Sequence, residues 1–269
     1  MRFLSKAALL AATLLAVAAP AASEQRTDDD WRFGATLYLW FPGISGTTQF
    51  PSGAGGPSIN VNAKDVLQKL DMAFMGTVEA RRGRWGALAD WVYSDLSSDR
   101  AGTRDLSING QPLAVGVSAD LGLEVKTNIV TLAATYTAIE SPAHVAALVF
   151  GSRMLKTDET LRWSLNGTGP LGLARSGVAE AGMTNWDAIV GVRGRARLDG
   201  DSRWFLPYYV DVGAGASRLT WQAVIGVGYS FNFGDVGLVW RYLDYEFKPS
   251  EAVQSLTFNG IALGVAFRF

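Results

Sequence analysis

The last nine residues of the chain alternate strictly between apolar side chains and small or polar ones. Apolar residues occupy every odd position from Ile261 to Phe269, and the sequence stops on that phenylalanine. A period of two predicts a β-strand with one apolar face. A strand in a water-soluble sheet would turn that face inward and would rarely end on a bare aromatic side chain. The segment therefore favours a lipid-facing strand in the wall of a membrane-spanning barrel.

The first 22 residues have the layout of a secretory signal peptide. Arg2 and Lys6 precede an apolar run over residues 7–19, and small residues follow as far as Ser23. The run is shorter than the ~20 residues that a spanning helix needs, and no cysteine follows it that could carry a lipid anchor. This order of segments predicts cleavage after about residue 22. We expect residues 1–22 to be removed and residues 23–269 to form one domain.

The composition excludes several classes of protein. The chain has no cysteine, so disulfides, iron–sulfur clusters and thiolate metal sites are excluded, and we expect no cofactor. Its formal net charge of -1 gives no reason to expect a nucleic-acid partner. Although 48% of the residues are hydrophobic, no apolar run after residue 22 is long enough for a transmembrane helix. A closed β-barrel reconciles these observations, because it pairs every backbone polar group within lipid.

Ten segments have the alternation of barrel strands. They are residues 31–41, 73–82, 85–96, 121–138, 144–156, 186–198, 204–215, 219–231, 236–247 and the closing segment, 261–269. Long connections, among them 97–119 and 157–185, alternate with short turns, as in single-chain bacterial barrels with short periplasmic turns and an even number of strands. We predict an all-β, transmembrane, antiparallel up-and-down barrel of about ten strands with both termini in the periplasm. Eight or twelve strands remain alternatives, and a hairpin around residues 161–165 that prolongs the barrel is an alternative to a loop over 157–185. Residues 64–70 have the spacing of a short helix.

Aromatic residues fall near both ends of these segments, which is where membrane interfaces place them. The periplasmic belt is predicted to contain Trp85, Trp204, Phe231, Phe267 and Phe269, and the outer belt Trp40, Phe41, Trp91, Trp186, Trp221, Trp240 and Tyr242.

The inward face of the predicted barrel carries charges of both signs. The candidate lumen-lining residues are Glu79, Arg81, Asp90, Glu124, Lys126, Arg153, Asp187, Arg193, Arg195, Asp211 and Arg241, with Arg268 near the end of the chain. One interpretation is a ladder of ion pairs that fills the lumen, because isolated buried charges are costly. The other is a narrow, porin-like channel for small polar solutes, since charged rings set selectivity. The corresponding functions are a narrow pore or a non-conducting barrel that presents external loops for structure or surface interaction.

Two motifs carry no chemistry in this context. The glycine pattern over residues 167–172 lacks the preceding strand and following helix that a dinucleotide site requires, and it contains Pro170. His144 is the only histidine, and the predicted topology places it at the periplasmic end of a strand, facing lipid or the turn. Histidine is the usual general base in enzymes, and here the single histidine lies away from any predicted site. We therefore do not expect an enzyme.

The closing segment resembles the last strand of bacterial outer-membrane β-barrels. Gly264, Phe267 and Phe269 fall where that family's C-terminal assembly signal has its glycine and two aromatics, although Leu263 replaces the usual polar residue. The whole mature chain resembles small barrels of the OmpA, OmpW and porin type, and the segments 38–46, 70–75 and 83–86 resemble a group of proteobacterial barrel proteins. The resemblance implies location in the outer membrane of a Gram-negative bacterium, contact with outer-membrane lipid and insertion by the barrel-assembly machinery. It implies no activity, and the oligomeric state stays open.

Overall fold

The structure is a computed structural model of the chain. It describes residues 30–48, 58–102, 107–108, 111–112, 117–167, 174–199, 202–249 and 253–269. The predicted signal peptide and the glycine pattern at 167–172 lie wholly or mostly outside these residues, so both stay as predictions about the sequence.

Ten antiparallel strands form the barrel. They are β1 (Trp31–Thr48), β3 (Leu70–Arg82), β4 (Trp85–Gly102), β7 (Val117–Glu140), β8 (His144–Gly167), β9 (Ala174–Arg197), β10 (Trp204–Gly215), β11 (Leu219–Ser230), β12 (Asp235–Glu246) and β13 (Val253–Arg268). Four short elements complete the described chain: β2 (Ser58–Val61), which pairs with the outer end of β1, helix α1 (Ala63–Gln68), and the pair of β5 (Ser107–Ile108) and β6 (Gln111–Pro112). The predicted number of barrel strands and the predicted short helix are confirmed. Asn62 caps that helix by accepting a hydrogen bond from the backbone N–H of Asp65.

The barrel closes because β13 pairs with β1. Phe33 and Phe269 exchange two backbone hydrogen bonds of 3.2 and 2.9 Å. Following directly paired residues around the wall from Gly34 leads to Gly46, twelve residues further along β1. With ten strands, this stagger corresponds to a strand tilt of about 40°. The chain is therefore an all-β, up-and-down barrel of the outer-membrane type.

The wall is much taller on one side than on the other. Strands β7, β8 and β9 each have 24 residues, whereas β10, β11 and β12 each have 12. At about 3.3 Å per residue and a tilt of about 40°, the difference is roughly 30 Å of height. The short turns after β3, β7, β9 and β11 lie at the end of the barrel that holds both described termini. This end is periplasmic by the rule for bacterial barrels, so the tall wall projects outside the cell.

Two of the predicted long loops are wrong. Residues 97–102 and 117–119 belong to β4 and β7, and all of the described part of 157–185 belongs to β8 and β9. Their alternation is weak because, above the membrane, both faces of a strand meet water and neither has to be apolar.

The exterior is apolar. Outward side chains such as Val78, Val190 and Ile225 are about 60% exposed, an arrangement that only lipid satisfies. Aromatic side chains border this zone, with Trp85, Trp204, Phe231 and Phe269 exposed at the periplasmic end and Trp91, Trp186 and Trp240 exposed at the outer end. The protein is accordingly an outer-membrane barrel.

No helix in the described ranges is long and apolar enough to cross a membrane.

Candidate functional site

A layer of apolar side chains fills the outer half of the lumen. We call it the apolar layer: Trp40, Met75, Val92, Ile129, Leu155, Leu243, Tyr245, Phe247, Phe258 and Ala262. Nine of these residues come from seven strands, and Phe247 directly follows β12; all point inward, and each is at most 6% exposed. The Trp40 and Phe258 rings are 6.0 Å apart, and Tyr245 stacks on Phe247 at 5.9 Å. The layer packs side chains from opposite walls against each other, as the core of a soluble protein does.

Trp40 corrects one prediction. It was assigned to the outer aromatic belt, but it is 3% exposed and lies inside the barrel. Its indole N–H donates to the carbonyl oxygen of Gly260 over 3.3 Å. Tyr38 also points inward, so Trp40 follows the period of the strand rather than the preference of tryptophan for interfaces.

Beneath the apolar layer, Arg241 spans the lumen. From β12 it donates to Tyr38 Oη over 2.8 Å, to Asp90 Oδ2 over 3.2 Å and to Gln222 Oε1 over 2.8 and 3.0 Å. Asp90 also accepts hydrogen bonds from Tyr38 and Thr77, each 2.7 Å long. The guanidinium lies 4.6 Å from the centre of the Trp40 ring, a cation–π distance. One arginine thus connects four strands, β12, β1, β4 and β11, and forms the boundary between the polar and the apolar part of the lumen.

A second ion pair occupies the side of the lumen that the apolar layer does not cover. Arg153 on β8 bonds to Asp211 on β10, and both side chains are completely buried. Arg153 also donates to Thr131 over 3.4 Å. Asp187 lies directly opposite Arg153 in the sheet and accepts a 2.8 Å hydrogen bond from the backbone N–H of Ser217. Buried charges on this wall are therefore held by neighbouring strands and by the β10–β11 turn.

Two further groups of ion pairs lie nearer the periplasm. Arg193 donates to Glu79 across the lumen over 2.6 Å. Asp235 accepts from Arg195 over 3.3 Å and also from Arg268.

At the periplasmic mouth, Arg81 pairs with Glu140. The predicted inward residues Glu79, Arg81, Asp90, Arg153, Asp187, Arg193, Arg195, Asp211 and Arg241 thus all face the lumen or its mouth, and eight of these nine form ion pairs there.

Glu124 and Lys126 do not line the lumen. On β7 the buried positions are Thr127, Ile129 and Thr131, so the even positions point away from the lumen. Lys126 bonds to Glu124 over 2.6 Å and approaches Asp95 to 3.8 Å on the outer surface. This prediction is wrong because the polar face of the segment, with Glu124, Lys126 and Asn128, meets water outside the barrel, while the more apolar face with Ile129 packs inside it.

These outer charges form a network above the belt. Arg162 approaches Glu124 to 3.3 Å. The bonds from Lys126 and Arg162 lower the pKa of the Glu124 carboxyl, and the bond to Glu124 raises the pKa of Lys126.

Described residues of the lumen line a cavity in its periplasmic half. Its volume is about 300 Å³. Its upper end is formed by Tyr38, Asp90 and Arg241, and Phe205 and Asp235 line it near the periplasmic mouth. The cavity ends under the apolar layer, so it is a blind pocket that opens toward the periplasm.

Sequence reasoning missed Asp235 and the apolar layer. Asp235 was placed in a turn, yet it begins β12, pairs with Ser230 and faces inward. The layer was missed because inward apolar residues, such as Met75 and Leu243, were not distinguished from lipid-facing ones. The signal was present: in several strands, apolar residues occupy both faces near the outer end.

His144 lies on the outer surface near the periplasmic end, as its place in the topology predicts. Its imidazole Nε2 is 2.8 Å from Tyr208 Oη. Within the ranges that the structure describes, no three histidine or acidic side chains are grouped closely enough to hold a metal ion.

Comparison with known proteins found similar architectures at low similarity. The chain is similar to the outer membrane protease OmpT from Escherichia coli, with 10% identity, a TM-score of 0.48, and coverage of 92% of this chain and 99% of that one. Ail, the attachment invasion locus protein of Yersinia pestis, has 8% identity and a TM-score of 0.32, with coverage of 90% of this chain and 99% of that one. The toluene transporter TodX of P. putida has 9% identity and a TM-score of 0.31, with coverage of 89% of this chain and 90% of that one. No family model and no curated protein matches the chain.

Proposed function

We propose that this protein is a non-conducting outer-membrane barrel that anchors a tall extracellular sheet for interactions at the cell surface. The observation that carries the proposal is the apolar layer across the outer half of the lumen. A hydrophobic constriction excludes water and ions. Here the constriction is filled by packed side chains such as Trp40 and Phe258.

The charges below the layer support the same conclusion. In a pore, fixed charges stay hydrated and attract permeating ions. In this lumen, Arg153, Arg193 and Arg241 are bonded to carboxylates on other strands. Paired charges of both signs hold the strands in register but give little selectivity. The blind cavity offers room for a small molecule from the periplasm but no route across.

The extracellular wall supports the second half of the proposal. A transmembrane strand needs about 9–11 residues, and β7, β8 and β9 have 24 each. The extra length is sheet, not loop, and it presents flat surfaces and edges outside the membrane. No reaction is proposed for it.

Single-channel recording from the refolded protein in a planar bilayer tests the occlusion. We expect no discrete steps from the native protein. Replacing Trp40, Phe247 and Phe258 together by alanine removes three of the four aromatic side chains of the apolar layer, and we expect steps from this variant. A matched control replaces the outward Trp91, Trp186 and Trp240 by alanine and should stay silent. Each variant must first give a folded, heat-modifiable band.

One result would overturn the proposal. Discrete steps from the native protein that become smaller or less anion-selective in Arg193→Glu or Arg241→Glu would establish a narrow pore lined by these arginines.

A further inference from the structure

The extracellular part of β9 is a sheet edge without a neighbouring strand. β10 pairs with β9 only as far as Gly215 opposite Asp187, whereas β9 begins at Ala174. Residues 174–185 pair with β8 on one side, and none of the described residues forms a backbone ladder with them on the other.

The backbone groups that face this open side can be identified. Ala216 donates its N–H to the carbonyl oxygen of Trp186 over 3.0 Å, so the polar groups of Trp186 point toward the β10 side. In an antiparallel strand, alternate residues direct both N–H and C=O to the same side. The N–H and C=O groups of Ser176, Val178, Glu180, Gly182 and Thr184 therefore all point outward from the edge.

This edge lacks the features that normally block pairing. Proteins protect exposed edges with proline, bulges, clustered charges or a covering segment. Residues 174–186 contain no proline, a single acidic residue and a single basic one, and their ladder with β8 runs without a register shift. All even positions from Ser176 to Trp186 are exposed.

A second barrel in the same membrane does not fit this edge. The free side of β9 faces along the barrel wall, over the low rim formed by β10, β11 and β12. Another upright barrel would have to occupy the space of this one to reach it. An extended segment that arrives from outside the cell meets no such obstacle.

We propose that residues 176–184 bind an extended peptide segment of another protein as an additional antiparallel strand that continues the β9–β10 ladder upward. Strand addition to a sheet edge is a general mode of peptide recognition, in which the main chain supplies affinity and alternate side chains supply specificity. The inference rests on the proposed surface role and names its partner class.

The outer face of the edge defines the side chains that such a segment should carry. Val178 and Trp186 are 62% and 50% exposed there, and Glu180 is the one charged side chain between them. Cross-strand pairs of apolar side chains and of opposite charges stabilise sheets. The position opposite Trp186 is already taken by Ala216. The partner should therefore have an apolar residue opposite Val178 and a basic residue opposite Glu180, with one residue between these two positions.

The probe is a fluorescein-labelled nonapeptide whose first residue lies opposite Thr184. It has threonine throughout, except for lysine at position five, opposite Glu180, and valine at position seven, opposite Val178. Binding to the refolded full chain in lipid nanodiscs is measured by fluorescence anisotropy. We expect saturable binding, weakened at least tenfold when the peptide is N-methylated on the amides that face β9. The matched control peptide, N-methylated on the amides that face away, should retain its binding. Because the probe is altered here and not the barrel, misfolding cannot explain the difference.

Hydrogen exchange locates the bound strand. We expect the amides of Val178, Glu180, Gly182 and Thr184 to exchange fast in the free protein and to become protected when the peptide binds, while the odd amides are protected throughout. No binding up to about 1 mM peptide, or equal binding of both N-methylated peptides, would overturn the proposal. Self-association of the barrel that protects the same amides would overturn it as well, in favour of a second copy. None of these results bears on conductance, so failure here and failure of the occluded lumen are distinguishable.

Discussion

Arg241 and Asp90 face each other across the lumen from strands that are not neighbours, with 3.2 Å between Nη2 and Oδ2. Arg241 is 6% exposed and lies on β12, whereas Asp90 lies on β4. The pair fixes the distance between opposite walls at the level where the apolar layer begins. It therefore connects opposite walls of the barrel as a cross-brace, and its removal should lower the free energy of unfolding of the whole domain.

Replacing Arg241 by methionine should destabilise the barrel. The change leaves the Asp90 carboxylate, which is only 13% exposed, without its cation. Removing one partner of a fully buried pair costs about 3–5 kcal/mol, and we expect a loss toward the lower end of that range. The free energy of unfolding is measured by urea titration of the protein in lipid bilayers. The exposed Lys126→Met is the matched control, and it should leave that free energy unchanged within error.

A double variant separates the ion pair from the loss of packing. Arg241→Met combined with Asp90→Leu removes both charges, so most of the stability lost in the single variant should return. If Arg241→Met alone behaves like Lys126→Met, the pair has no bracing role.

Lipid quenching should distinguish the tryptophan inside the barrel from those outside it. Trp40 lies in the apolar layer, whereas Trp240 is 40% exposed on the lipid-facing wall. In variants that keep one tryptophan and carry phenylalanine at the other eight positions, brominated lipids should quench Trp240 and leave Trp40 fluorescent. Strong quenching of Trp40 would place it in the outer belt, where sequence alone assigned it.

The alternation of the transmembrane segments was enough to predict the fold. Lipid on one side and the lumen on the other impose different chemistry on odd and even positions, so residues such as Val190 and Arg193 identify their own faces. The prediction became wrong above the membrane, around Glu124 and Lys126, because water on both sides removes that contrast. It also missed the apolar layer, since an inward Leu243 and an outward Leu238 look alike in a sequence. Only the register of all ten strands reveals which apolar residues meet across the lumen.

Gly151 should be irreplaceable even by alanine. A Cβ atom at this position would lie 2.1 Å from the carbonyl oxygen of Leu132 and 2.5 Å from the Cα of Ala133. Both contacts are with the backbone of the neighbouring strand, which cannot move without opening the ladder between β7 and β8. Gly237 is the matched control, because the nearest atom to its Cβ would be 3.7 Å away. Gly151→Ala should refold in low yield and lose the heat-modifiable band, and Gly237→Ala should keep it. Equal refolding yields of the two variants would show that the neighbouring strand can shift to accommodate a methyl group at Gly151.

A substitution of Phe269 can distinguish an effect on assembly in the cell from an effect on the stability of the folded barrel. The backbone of this residue closes the barrel through two hydrogen bonds with Phe33, but its side chain is 59% exposed at the periplasmic edge. Phe269→Ala keeps the backbone bonds and removes a ring that contributes little to packing within the chain. If the ring is part of the signal for the barrel-assembly machinery, the variant should accumulate poorly in outer membranes yet refold in detergent with the yield of the native protein. Phe233→Ala, another exposed ring at the same edge, should assemble normally and serves as the control. A variant that fails equally in cells and in detergent would mean that the Phe269 ring acts through stability and carries no assembly signal.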